Sequence, residues 1–372
     1  MTYLAAAAGM LLVFVVLWET FETMVLPRTI VRQLRLTRIY YRVAWSAYRL
    51  GARGGVTGPV RESYLSAFGP LSLLGLLLCW VVSLIFGFAL IQWGLGSRVT
   101  TAGAPPGLGT DLYMSGITFF TVGFGDVVPI TPAAKLCAVI EAGTGLGFLA
   151  IVIGYIPVIY ASFSRREAGI SLLDARAGSP PTACEMLCRH ASAGSMEALA
   201  PLLATFESWA SDLMESHLSY PVVAYYRSQH DRESWISSLA AILDVCAIIA
   251  VGFETDAAWL NPLQWQARMT FAMARHALVD LSLVFHVEPE TRRVDRLPAE
   301  EFEETRAQLA ACGLKLAGGA DAERRLRAIR DHYEPYLGGL GASLLMSLPP
   351  WRSVEATRDN WQTSAWADDS HL

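Results

Sequence analysis

The stretch Thr121-Val122-Gly123-Phe124-Gly125-Asp126 lies between two long apolar runs, and its residue types suit the holding of an ion. Glycine weakens helices and strands alike, so Gly123 and Gly125, alternating with Val122 and Phe124, mark backbone in conformations that other residues resist. Such alternation lets successive carbonyls point the same way, and carbonyls from converging strands can replace a cation's water shell. Inside a bilayer, irregular backbone survives only where it lines a water-filled path or is buried in protein. Asp126 closes the stretch with a carboxylate. A second acid, Glu141, falls in the following apolar run, where a charge is costly and marks a functional candidate. The chemistry implied is ion coordination, not bond making. No P-loop, HExxH, CxxC or GxSxG pattern occurs, so neither a catalytic residue nor a cofactor is expected.

The positioning elements are apolar helices. Of 372 residues, 53% are hydrophobic and only 17% charged, and the mean hydropathy is +0.35. This is the profile of an integral membrane protein. Three runs reach the ~20 residues needed to span a bilayer: roughly 3–26, 67–93 and 133–163. No Lys or Arg precedes the first and no small-residue cleavage site follows it, so it reads as a span and not a signal peptide. Between the first two spans lie Arg28, Arg32, Arg35, Arg38, Arg42, Arg49, Arg53 and Arg61, against Glu62 alone. The positive-inside rule then places the N-terminus outside, the C-terminal half in the cytoplasm and the glycine stretch at the outer face of the cell (inner) membrane. Residues 111–120 make a helix too short to span, with Thr110 or Asp111 as its N-cap. Its negative C-terminal end would be aimed at the ion path, which favours cations.

Outer span, short helix, TVGFGD and inner span together resemble the pore module of potassium channels, over roughly residues 66–164. The resemblance implies K+ sites built from the carbonyls of Thr121, Val122, Gly123 and Phe124 with the Thr121 hydroxyl, and Gly125 completing the strand. One strand per chain implies a homotetramer, each chain meeting three identical subunits. Most members have Tyr where this chain has Phe124. That side chain points away from the ion path, so the carbonyl is kept and a hydroxyl toward the pore helix is lost. Gly145 stands where the family places its hinge glycine, and Pro157 lies deeper, where it kinks the helix or frees a carbonyl. Gly143 and Gly147 also have GxxxG spacing, so hinge and helix packing are both open readings for these glycines. Many bacterial members carry a pore-helix Glu that pairs with the Asp after the filter. The matching position here is Ile117, and Glu141, at about filter depth, is the substitute brace through Ser115 or Thr118, or else a packing residue. A subunit of a cation transport system and a weakly selective cation channel are the alternative functions.

Outside the pore the signals are weaker. Glu19 and Glu22 share a face near the inner end of the first span, suited to pairing with Arg28 or Arg32. Arg28, Arg32, Arg35 and Arg42 interleave with Ile30, Val31, Leu34 and Tyr41, as on a helix along the inner leaflet facing anionic headgroups. That stripe could equally contact the acidic second half, for residues 1–164 carry a net charge of +4 and residues 165–372 a net of −9. Nucleic acid is not an expected partner. Helical periodicity covers 195–217, 235–251, 265–285, 300–316 and 322–346. This part resembles the helical cytoplasmic region of uncharacterised bacterial ion-channel proteins through residues 171–181 and 215–221, which implies no ligand. The six cysteines read as reduced thiols; Cys184 and Cys188 have helical chelating spacing that would need two more ligands from afar, or are buried structural cysteines. His217 and His230 flank Tyr220-Pro221, where a histidine pH sensor or ordinary core histidines fit. The expected architecture is an all-α membrane protein: a first transmembrane helix (1–27), an Arg-rich connector (28–63), a pore module with re-entrant helix and filter (64–164), an all-α cytoplasmic domain (165–349) and a loose tail (350–372).

Overall fold

The computed structural model describes residues 2–26, 35–53, 58–96, 99–101, 107–229, 232–290 and 295–353. The chain divides into two compact units, Met1–Ala161 and Ser162–Leu372.

The first unit is helical. Helix α1 (Thr2–Thr20) runs into π-type turns at Phe21–Val25, α2 covers Leu36–Arg53, α3 Gly58–Gly94 and α4 Leu108–Phe119. Helix α5 (Pro132–Ala177) starts in this unit, and the boundary at Ala161 falls within its length. Among the described residues three helices are long and apolar enough to cross a membrane: Tyr3–Val25, Val60–Gly94 and Pro132–Ala177. Helix α3 continues through Pro70, which supplies no N–H to the preceding turn. The Ser72 hydroxyl bonds the Gly69 carbonyl at 2.9 Å, and the Tyr40 hydroxyl reaches the Ser72 carbonyl at 2.8 Å. A feature not legible in the sequence is a short antiparallel ribbon, β1 (Val99–Thr101) on β2 (Val127–Pro129), with Thr100 opposite Val128. It ties the chain before α4 to the chain just after Asp126.

Amphipathic α2 packs its aromatic side on α3. Trp45 meets Phe68 at 4.8 Å, and Tyr48 stacks on Tyr64 at 4.1 Å. Arg42 and Leu50 are on the exposed side. The acidic pair at the end of α1 splits its roles. Glu19 accepts the backbone amides of Leu36 and Thr37 at 3.2 and 3.3 Å, so it caps α2 from another helix. Glu22 takes the Trp18 indole N–H at 2.7 Å and lies 3.9 Å from Arg35. Arg35 also donates to the Thr23 hydroxyl at 3.2 Å. It therefore turns inward, which corrects its assignment to lipid headgroups. Arg28 and Arg32 lie outside the described residues.

The second unit contains the rest of α5, then α6 (Ala183–Ser192), α7 (Leu199–Ser219), α8 (Trp235–Val251), α9 (Leu260–Phe285), α10 (Ala299–Ala311), α11 (Gly319–Arg330) and α12 (Glu334–Leu344). Helix α8 is the core element, buried along nearly its whole length and capped by Ser234 and Ser237 acting reciprocally. Near its middle the buried Asp244 accepts Arg296 at 2.8 Å and the Tyr333 hydroxyl at 2.6 Å. Arg296 also contacts Glu334 at 3.2 Å. The periodic run 322–346 is two helices, because Pro335 opens α12 and cannot continue α11.

Two expectations are corrected here. The tail does not begin at 350, since Trp351 is fully buried beneath the guanidinium groups of Arg296 and Arg330, and its carbonyl accepts the Cys184 amide at 3.1 Å. Residues 354–372 are outside the described set. The cysteines are not all thiols, since Cys188 and Cys312 form a disulfide between α6 and the end of α10. Spacing could not show this, because the partners are 124 residues apart.

Candidate functional site

Helix α4 begins at Leu108, after Gly107 and without a side-chain cap. Neither Thr110 nor Asp111 is therefore the N-cap; Asp111 sits buried in the first turn, where a carboxylate complements the helix dipole. At the other end the helix closes on itself, with the Phe120 amide on the Gly116 carbonyl at 3.1 Å and the Thr121 amide on the Thr118 carbonyl at 3.0 Å.

The stretch Thr121 to Asp126 begins there. The amides of Val122 and Gly123 both donate to the Ile117 carbonyl, at 2.8 and 3.3 Å. In a trans peptide the N–H and C=O point in opposite directions. The carbonyls of Thr121 and Val122 are thus directed away from α4, toward a side that this chain leaves open. Thr121, Gly123 and Gly125 have φ of +55°, +59° and +77°, whereas Val122 and Phe124 are not left-handed. This alternation keeps turning the peptide planes back to the same side. Gly123 and Gly125 adopt it without cost, and Thr121 holds it against its own Cβ. All six residues from Thr121 to Asp126 are exposed within the single chain, Phe124 by 71%.

Asp126 is held at both oxygens. One accepts the Tyr113 hydroxyl at 2.9 Å and the other the Val127 amide at 3.1 Å. Tyr113 lies on the exposed side of α4, and its only mark in the sequence is a hydroxyl-bearing aromatic in the short helix. Glu141 of α5 is fully buried and in contact with the Ser115 hydroxyl of α4, which also reaches the Ile85 carbonyl of α3 at 2.7 Å. Ser115 is one of the two partners expected for Glu141, and the junction joins outer, short and inner helices at one point. The buried Gln92 adds a second tie from α3, donating to the Ala134 carbonyl at 3.1 Å.

Gly145 has a packing reason. A Cβ there would lie 2.0 Å from the Phe119 carbonyl oxygen, so α5 passes in backbone contact beneath the end of α4. Gly143 and Gly147 have nothing within 4 Å in this chain. Pro157 is exposed and inside α5, where it leaves the Ile153 carbonyl without its helical donor. Among the described residues no group of three or more His, Cys, Asp and Glu is placed to hold a metal ion.

Residues 73–161 match the family described as ion channel. The chain carries an ion-channel pore module. It is an all-α membrane protein, apart from the ribbon, with further helices after the pore. The uncharacterized membrane protein YdjJ of Bacillus subtilis (strain 168) is 28% identical over 191 residues, which is 50% of this chain and 55% of that protein. The chain thus spans about half the length of that curated relative. No solved structure matches.

Proposed function

We propose that the chain is the subunit of a homotetrameric, K+-selective channel of the cell membrane, with the N-terminus outside and the helical second unit inside. K+ passes down its gradient through rings formed by the carbonyls of Thr121, Val122, Gly123 and Phe124 and the Thr121 hydroxyl. Asp126 and Glu141 brace that strand, and inner-helix movement about Pro157, coupled to the second unit, opens the path. Gly145 is assigned to packing against α4 in preference to bending, since its missing Cβ is already taken up by the Phe119 carbonyl. Arg42 faces the lipid surface.

The observation that carries this reading is the capture of the Val122 and Gly123 amides by the Ile117 carbonyl, together with the alternating left-handed backbone. Carbonyls turned to an open side are useful only if other strands converge there, because buried or membrane-embedded carbonyls require partners. The apolar surface of α5 argues likewise for further copies. Only 17% of its most apolar stretch is buried in the chain, against 33% and 39% for the other two spans.

The experiment is reconstitution in liposomes, with reversal potentials measured under opposed K+ and Na+ gradients. A potential following K+ is expected, and Gly123→Ala should abolish K+ flux while leaving assembly intact, because the added Cβ opposes the left-handed backbone. A potential that follows neither ion would favour a weakly selective cation channel. Flux that requires a second protein would favour a transport-system subunit.

A further inference from the structure

In the second unit, α5 packs Ile170 and Leu173 into the core, and next to them one buried guanidinium ties the helix to the chain after α7. Arg166, 2% exposed, donates to the carbonyls of Val223 at 2.9 Å and Tyr226 at 3.0 Å, and it pairs with Glu167 at 2.8 Å. Its own carbonyl accepts the Trp209 indole N–H at 3.1 Å. The Phe163 ring lies under the guanidinium at 5.0 Å and against Tyr226 at 5.6 Å.

One further contact of Arg166 is with a base. Its Nη1 lies 3.5 Å from Nε2 of His217, which is fully buried in α7. The other imidazole nitrogen, Nδ1, is 2.8 Å from the Leu213 carbonyl. A carbonyl can only accept, so Nδ1 carries the ring proton and Nε2 presents a lone pair to Arg166. A second proton on the ring would set two donors, both cationic, against each other. His217 is faced from α5 by Arg166 and, behind it, the Glu167 that pairs with it. From α8 comes the neutral Trp235 ring, 5.2 Å away. From α7 come the Ser216 hydroxyl and the Leu213 carbonyl, and after α7 come the Val223 and Tyr226 carbonyls that hold Arg166. Burial, and after it the Arg166 charge, holds the imidazole well below its ordinary value of 6.5.

We propose that His217 makes the anchorage of α5 proton-sensitive: a proton taken up at Nε2 displaces Arg166 and frees the α5 segment around it, so that acid changes the channel's open probability. The last step alone rests on the channel reading. The sign follows from linkage. The anchored state excludes the proton and the released state accepts it, so anchorage is complete above pH ~6.5 and declines as pH falls below that. The ratio of anchored to released protein should fall by up to about tenfold per pH unit in that range.

The test uses the full-length protein in liposomes at pH 7.5, 6.5 and 5.5. Hydrogen exchange of residues 162–170 and 213–226, corrected for the intrinsic pH dependence, is followed beside K+ flux. Protection in these segments should drop by up to about fivefold between pH 6.5 and 5.5. It should stay flat in His217→Gln, whose amide oxygen still accepts from Arg166 but takes no proton. Arg166→Gln removes the anchoring guanidinium, so protection should already be low at pH 7.5 and change little on acidification, and it serves if the first variant does not fold. Unchanged protection in the wild type, or the same drop in both variants, overturns the proposal. Flux with one pH profile in wild type and variants overturns its last step. The expected exchange pattern without K+ flux at any pH leaves the switch standing and refutes the channel reading.

Discussion

Replacing Gly145 by Ala probes whether the inner helix shapes the filter from beneath. The new Cβ would stand 2.0 Å from the Phe119 carbonyl oxygen, 2.9 Å from its carbon and 3.2 Å from its Cα. All three are backbone atoms, so no side chain can rotate away. Reaching the 3.4 Å of ordinary contact requires α4 and α5 to separate by roughly 1.4 Å at this point. The Ile117 carbonyl that holds the Val122 and Gly123 amides is two residues from Phe119, so the displacement passes into the filter. Overpacking of this kind costs about 1–3 kcal/mol, equivalent to about 5- to 160-fold in an equilibrium between intact and distorted filters. The assay is the K+/Na+ permeability ratio from reversal potentials, read beside thermal unfolding in detergent. Gly145→Ala should lower both the ratio and the melting temperature. A hinge role predicts something different, namely altered open probability with selectivity intact. Unchanged selectivity and stability would refute the packing argument.

Tyr113→Phe removes the hydroxyl that holds Asp126, so K+ current should decay faster during sustained opening; an unchanged time course would leave Asp126 anchored by the Val127 amide alone. Glu141→Gln keeps the shape of the junction with Ser115 while replacing the carboxyl with a group that cannot ionise, and it should change open-state duration without loss of assembly on native gels. Asp244→Asn breaks a buried ion pair from one side, a change that costs about 3–5 kcal/mol, and it should show as a large drop in the unfolding temperature of the second unit. A C-terminal fluorescent-protein fusion should fluoresce if the second unit is cytoplasmic. An active alkaline-phosphatase fusion at the same point would reverse the orientation.

Much of the pore was legible without coordinates because a bilayer imposes length and composition on each span. The three membrane helices, the short helix before the glycine stretch and the glycine alternation follow from local pattern. So does the peculiarity of Glu141, since a carboxylate among apolar residues stands out wherever it points. Partners were the limit. That Ser115 meets Glu141 while also reaching Ile85, that Tyr113 holds Asp126, and that Gly145 admits a carbonyl and not a bend depend on how three helices cross. Crossing geometry is set by side-chain fit over the whole contact, and no single window records it. The second unit shows the same division. Periodicity located α8 by its apolar length, yet gave no sign that Asp244 within it would be matched by Arg296 and Tyr333 from distant segments. Nor did it show that Trp351 would close over those arginines. The sequence marks His217 by its place before Tyr220-Pro221, where a pH sensor and a core histidine fit equally. Only the folded chain brings Arg166 to its bare nitrogen, because a hydrogen bond between residues 51 apart exists only after the helices between them have packed.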